Sequence, residues 1–257
     1  MPDRPACPLI QPPVIAHRGD SSRAPENTLA AFRAAKTAGA TWIELDATLA
    51  ACGEVIVLHD ETLDRTTNGK GSAAAKPYSV LKTLDAGSWF SPAFAHETIP
   101  TLAEALGVCV EEGLGVNIEV KPAKGQEVQT AVRVLEVLSD FSVASVPVLL
   151  TSFSLTSLAA VRQQAPWLPV GLLLHEWRAD WQTVCETLSC CTLHANRLIV
   201  SPGRVTQWRA AGLEVLAYTL NIPAEATKMF LWGVSAVFSD CPEKIIVETR
   251  GSVIHPQ

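Results

Sequence analysis

Between Val14 and Asp60, two histidines, an arginine and a Glu-x-Asp pair stand beside apolar β-type runs. His17 and Arg18 follow Val14-Ile15-Ala16, Glu44 and Asp46 interrupt Trp42–Leu49, and His59 and Asp60 follow Val55–Leu58. Further on, Asn117, Glu119 and Lys121 alternate with Val116, Ile118 and Val120. Glu44, Asp46 and Glu119 form a hard oxygen donor set suited to one divalent cation, Mg²⁺, Ca²⁺ or Mn²⁺, rather than a thiolate metal. A salt-bridged strand-end acid would explain any one of them. It explains the set less well, because Glu44 and Asp46 share one face of an otherwise apolar strand. Burying both without a cation costs on the order of several kcal/mol each. Imidazole titrates near neutrality, so His17 and His59 are a candidate acid–base pair. Arg18 offers a planar fork to a phosphate and Lys121 a point charge, although an exposed lysine alone would need no explanation. One cation site, two histidines and two positive side chains suit displacement at phosphorus. The chain has no Gly-x-Ser-x-Gly elbow and no phosphate-binding P-loop.

Positioning these groups takes a regular scaffold. Strand patterns at 14–18, 42–49, 115–121, 148–153, 170–174, 190–200, 213–220 and 236–239 are each followed by a helical pattern. Asn27 or Thr28 can cap the first helix and Thr101 the second. Eight strand–helix units imply a parallel sheet closed into a TIM-type (β/α)8 barrel. Catalytic groups of such a barrel lie at the carboxyl ends of its strands. Residues 55–58 have no crossover helix before them, so they read as a hairpin return on the second strand. A turn centred near Cys52-Gly53 would then place His59 opposite Asp46. Residues 61–100 lack a sustained period and read as an inserted lid segment after the second strand. Residues 14–257 read as one catalytic barrel. Residues 1–13, with five prolines and no apolar core, read as a disordered N-terminal tail.

At 257 residues with 48% hydrophobic side chains, the chain can bury a large core. A net charge of −6 excludes a nucleic-acid or anionic-membrane surface. Seven cysteines without a Cys-x-x-Cys pair exclude a zinc site. With neither an export signal nor a membrane-length apolar run, the expected location is the cytoplasm.

His17-Arg18-Gly19, Pro25-Glu26-Asn27-Thr28, Glu44-x-Asp46, His59-Asp60 with Arg65-Thr66-Thr67, and Asn117-Ile118-Glu119-Val120-Lys121 resemble the glycerophosphodiester phosphodiesterase family. Gly87-Ser88-Trp89-Phe90, Ile99-Pro100-Thr101-Leu102, Thr219-x-Asn221 and Phe238-Ser239-Asp240-x-Pro242 extend the likeness in order to about Ile246. The pattern is most similar to the short cytosolic bacterial members. The resemblance implies a TIM-type barrel that hydrolyses small glycerophosphodiesters to sn-glycerol 3-phosphate and an alcohol. It implies His17 and His59 as acid and base, and Glu44, Asp46 and Glu119 as ligands of one divalent cation. Arg18 and Lys121 would contact phosphate, Phe90 would pack on the glycerol, and Tyr218, where the family often has Trp, would form an aromatic wall. Ala50 and Cys52 replace the family's usual Thr-x-Asp at the hairpin tip, and Gly233-Val234-Ser235-Ala236 replaces its Gly-Val-Asp-Gly run. Two other readings are a lysophospholipase D-type enzyme, with Trp89, Phe90 and Phe94 as an apolar entrance, and a barrel that binds glycerophosphodiesters without turning them over.

Overall fold

A computed structural model describes residues 4–141 and 146–251. The elements alternate from the start: β1 (Val14–Ala16), α1 (Leu29–Thr37), β2 (Trp42–Leu49), β3 (Val55–Val57), α2 (Tyr78–Leu81), α3 (Leu102–Glu112) and β4 (Gly115–Val120). There follow α4 (Glu127–Asp140), β5 (Val148–Ser152), α5 (Leu155–Gln164), β6 (Val170–Leu174), α6 (Trp181–Thr187) and β7 (Thr192–Asn196). The chain then runs through α7 (Pro202–Ala210), β8 (Glu214–Tyr218), α8 (Pro223–Leu231), β9 (Ala236–Ser239) and α9 (Pro242–Gly251). Eight strands pair in parallel in the order β1-β9-β8-β7-β6-β5-β4-β2, and β1 pairs with β2 to close the ring. This is the expected TIM-type barrel.

Strand alternation sorts the side chains. In β2, Ile43, Leu45 and Ala47 join the apolar layer beneath the helices, while Trp42, Glu44 and Asp46 take the opposite face. The barrel floor holds Ile15, Trp42, Leu149, Leu216 and Phe238. Gly115 makes room for Trp42: a Cβ there would lie 2.4 Å from the indole ring. Above the floor is a buried polar layer, in which Asn117 Nδ2 donates to Thr151 Oγ1 at 3.1 Å and His194 Nε2 lies 3.0 Å from Thr192 Oγ1.

Helix starts follow local chemistry. Thr28 caps α1 by accepting from the Ala31 N–H, because Asn27 is turned toward Asp46 instead. Thr101 and Glu104 form a capping box on α3, with Gly113 in left-handed conformation after its last turn.

Two expectations need correction. Residues 4–13 are not a loose tail: Ile10 is buried with the barrel-floor cluster, and Cys7 packs on it. Arg4 Nη1 donates to the Ala211 carbonyl, and the Gln11 carbonyl accepts from Thr41 Oγ1. Proline content hid a plug whose apolar side chains close the open lower end of the barrel. The hairpin register is also shifted by one. Val57 pairs with Ala47 and Val55 with Leu49, so Leu58 rather than His59 meets Asp46, with its N–H donating to the Asp46 carbonyl. The cause is a loop of three residues, 51–53, centred on Cys52 and closed by Gly53 at φ +81°.

β3 lies on the edge of β2 away from β4, since Ala47 pairs with both Val57 and Val120. It therefore stands above β1, on the part of β2 that overhangs the barrel. The insertion over 61–100 packs its own small core, Leu63, Ala73, Leu81, Ala86 and Ile99, onto Ile56 and Leu58. No described helix is long and apolar enough to cross a membrane.

Candidate active site

The chain turns sharply where β1 ends. Arg18 and Gly19 have φ of 57° and 83°, and a Cβ on Gly19 would lie 2.6 Å from the Ala31 backbone. Only glycine fits there. The turn aims the Arg18 N–H at Glu44 Oε2, 2.9 Å away. It also swings the guanidinium onto Glu26 at 2.7 Å and toward Asp46 at 3.4 Å.

Glu44 and Asp46 leave the same face of β2, and Glu119 joins them from β4, where it is the register partner of Asp46. One oxygen from each lies within 4.8 Å of the others. Asp46 also accepts from Asn27 Nδ2 at 2.8 Å and from Lys121 Nζ at 3.2 Å. Burial and the neighbouring Asp46 and Glu119 push the Glu44 carboxyl well above its usual range. Burial and Asp46 likewise push Glu119 up to about 7. Burial opposes ionisation of Asp46 too, but Lys121 and Arg18 outweigh it and hold that carboxyl at about 2. The two local cations thus outweigh burial at one carboxylate of the three. A buried all-oxygen trio short of positive charge fits a hard divalent cation.

Two histidine–carboxylate pairs flank the trio. His17 Nδ1 lies 2.7 Å from Asp240 Oδ1, and its Nε2 points toward Glu44 Oε2 at 4.0 Å. His59 Nδ1 lies 2.7 Å from Asp60 Oδ1. An ionised carboxylate has no proton to give, so each Nδ1 carries the hydrogen and each Nε2 is left free for proton transfer. Burial, with Arg18 and Lys121 nearby, lowers the pKa of His59 despite its attraction to Asp46. Burial opposes ionisation of Asp240, but the bond from His17 outweighs it, aided by Asn221 and Ser21, and holds the carboxyl at about 2.

The fold brings His17, Arg18, Glu44, Asp46, Glu119 and Lys121 together, and charge interactions link His59 to Asp46. A cleft of about 500 Å³ passes His59, Glu119 and Lys121 and continues by Thr48, Ser72 and Ser154 to Phe153. Tyr218 meets Phe153 edge-on at 6.3 Å and donates its hydroxyl to the Leu174 carbonyl. Phe90 packs edge-on between Trp89 and Phe94, at 5.8 and 5.7 Å. Phe90 is not part of the lining of the cleft beside the acidic trio. Ala50 is buried under the insertion, and Cys52 Sγ accepts from the Tyr78 N–H, so both departures lie in the hairpin turn.

Asp240, Asp60 and Glu26 have no assigned role in the sequence reading, and Asn27 enters there only as a helix cap. The missed signal for Asp240 was positional. It follows β9 as His17 follows β1, and Ala16 pairs with Ser239.

The family model for the glycerophosphoryl diester phosphodiesterase family matches residues 17–244. A glycerophosphodiester phosphodiesterase from Caldanaerobacter subterraneus is 34% identical over 91% of this chain and 96% of its own. Among solved structures, an Oleispira antarctica phosphodiesterase in complex with the product sn-glycerol-3-phosphate superposes with a TM-score of 0.91 at 39% identity, covering 95% of this chain and 97% of that one. A glycerophosphodiester phosphodiesterase from Agrobacterium tumefaciens gives 0.76 at 30% identity, covering 91% and 98%. With two imidazoles and a carboxylate trio gathered at the carboxyl end of the barrel, and the family pattern running nearly its full length, the chain belongs to the glycerophosphoryl diester phosphodiesterase family and is an enzyme of that class.

Proposed function

We propose that this enzyme hydrolyses small glycerophosphodiesters, such as glycerophosphocholine and glycerophosphoethanolamine, to sn-glycerol 3-phosphate and an alcohol. The observation that carries the reading is the pair of histidine–carboxylate dyads on either side of the Glu44, Asp46 and Glu119 trio. These three carboxylates would hold one divalent cation, Mg²⁺, Ca²⁺ or Mn²⁺. When bound, the cation supplies Lewis acidity to a non-bridging phosphoryl oxygen. Lys121 and Arg18 add positive charge beside the phosphate. His59, which burial favours in its neutral form, takes the proton of the nucleophile at Nε2. His17, which enters this step protonated on both ring nitrogens, gives its Nε2 proton to the leaving alcohol and ends as the Nδ1–H tautomer bonded to Asp240. Phe90 and Tyr218 are assigned to the substrate walls, Phe90 on the glycerol side.

The test is release of glycerol 3-phosphate from glycerophosphocholine by the purified enzyme with each of the three cations, against a chelated control. Turnover with a cation and none after chelation is the expected result. No product with any cation would leave a binding protein as the better reading. Release from lysophosphatidylcholine alone would favour the lysophospholipase D-type activity. The cation has a second readout, because a ligand that binds only the folded state raises the melting temperature. That rise should vanish in Glu44→Gln.

A further inference from the structure

Arg65 lies in the insertion, five residues beyond Asp60, and the chemistry proposed above makes no use of it. Its guanidinium is nevertheless fully engaged between two carboxylates. Nε and Nη2 donate to the two oxygens of Asp60 at 2.7 and 2.9 Å. Nη1 and Nη2 donate to the two oxygens of Glu26 at 2.7 and 2.8 Å. Glu26 also accepts from Arg18 Nη1 at 2.7 Å, and the Arg18 Nε stands 3.4 Å from Asp46. A continuous line of charged contacts thus joins the His59 ring to the acidic trio through Asp60, Arg65, Glu26 and Arg18.

An exposed ion pair is worth little by itself. This one is bidentate on both sides, and the Glu26 side chain is only 13% exposed, the geometry in which an arginine fork fixes orientation. His59 needs such help. It lies two residues beyond β3, a return strand that pairs above the barrel ring. Its Nδ1 partner is the next residue in the chain, and a neighbour on the same loop fixes nothing unless that loop is anchored elsewhere. The bonds from Arg65, ahead of the bond from His59, also hold the Asp60 carboxyl well below the usual carboxylate range.

We infer that Arg65 is a positioning residue for His59: it locks Asp60 in place and ties it to Glu26 on the loop after β1. This inference rests on the acid–base reading of His59 given above. Displacing a reacting group by about 1 Å can cost roughly 10²-fold in rate, so the role should be measurable.

The experiment uses the full chain with Arg65→Ala, Arg65→Lys and Glu26→Gln. Arg65→Ala should lower kcat by roughly 10²-fold with KM within about twofold, since the residue does not touch substrate. Methylguanidine added to Arg65→Ala should restore part of kcat. Arg65→Lys should fall between, because an ammonium cannot span four oxygens, and Glu26→Gln should resemble it. An unchanged kcat in Arg65→Ala, or a rise in KM alone, would overturn the inference. A second readout is independent of turnover: ¹⁵N NMR of the His59 imidazole. It should show the Nδ1-protonated tautomer in the wild type and a mixture in Arg65→Ala. An unchanged ring signal sinks the positioning role even in an inactive preparation. A wild type that turns over no glycerophosphodiester sinks the functional reading instead.

Discussion

The two histidine dyads have the same contact distance and opposite construction. His17 ends a barrel strand, and its carboxylate comes from 223 residues away, at the end of β9. Asp240 is in turn held by Asn221 Nδ2 at 2.7 Å and by Ser21 Oγ at 3.2 Å, and its own N–H donates to Asn221 Oδ1. That dyad is over-determined by the closure of the barrel. His59 sits beyond a short return strand and pairs with its sequence neighbour, so its precision is borrowed from the insertion through Arg65. One dyad is made by topology, the other by a local clamp. On the proposed mechanism, a catalytic group stands outside the barrel ring because a charged fork takes over the role that strand pairing plays inside it.

The largest effects should come from the rings themselves. His17→Ala and His59→Ala should each lose about 10²–10⁴-fold in turnover while keeping the wild-type circular dichroism spectrum, the range expected for a positioned acid or base. Glycerol 3-phosphate release is the measurement. Wild-type turnover in either variant would remove that histidine from the chemistry and end the parity between the dyads.

Smaller effects should come from the partners, and here the dyads should part company. Asparagine at 60 donates to His59 Nδ1 where the carboxylate accepted, which moves the imidazole proton to Nε2 and leaves the base without its lone pair. Asparagine at 240 instead takes from His17 the negative charge that stabilises its doubly protonated, proton-donating form. Both variants should lose roughly 10²-fold in kcat, less than the loss known for the wrong tautomer in serine proteases. Coupling to Arg65 separates them. Asp60→Asn combined with Arg65→Ala should be non-additive by about 1 kcal/mol or more, because the two side chains share hydrogen bonds. Asp240→Asn with Arg65→Ala should add to within about 0.5 kcal/mol, as independent sites do. Equal coupling in both double mutants would mean that the insertion supports the whole site and not one dyad.

This contrast also explains what could be read from the sequence. The eight strand–helix units were legible because short apolar runs such as Val148–Leu150 and Val170–Leu174 alternate with helical patterns, and His17, Glu44, Asp46, Glu119 and Lys121 followed from their strand-end positions. Asp240 was not assigned a role because its meaning arises only when β9 closes on β1. The register at His59 failed by one residue because a three-residue loop and an even-numbered one have similar composition around Cys52-Gly53. The plug over residues 4–13 was missed because prolines signal a lack of regular structure, not a lack of packing. Ile10 is the counterexample, buried at 7% exposure.

A third histidine gives the smallest expected effect on activity and a control for both dyads. His194 is fully buried in the barrel, next to Thr192 and in ring contact with Phe238, with no carboxylate partner among the described residues, and burial lowers its pKa to about 3. Its folded-state pKa lies below the unfolded value near 6.5. Between those values the unfolded chain holds a proton that the folded chain refuses. The stability that depends on neutral His194 is therefore complete above about pH 6.5 and declines as pH falls toward 3. The slope contributed by this one group is at most about 1.4 kcal/mol per pH unit. His194→Gln keeps a donor for Thr192 and removes the titration. Its urea-derived stability should fall less steeply than that of the wild type across this window, while turnover at neutral pH stays within about twofold. Parallel stability curves would show that His194 accepts its proton without unfolding. A large loss of turnover would show that the polar layer beneath the site is coupled to the chemistry. The expected pair of results would instead confine catalysis to the imidazoles that have a carboxylate on Nδ1, because burial by itself keeps a histidine neutral but gives it neither an orientation nor a proton to pass.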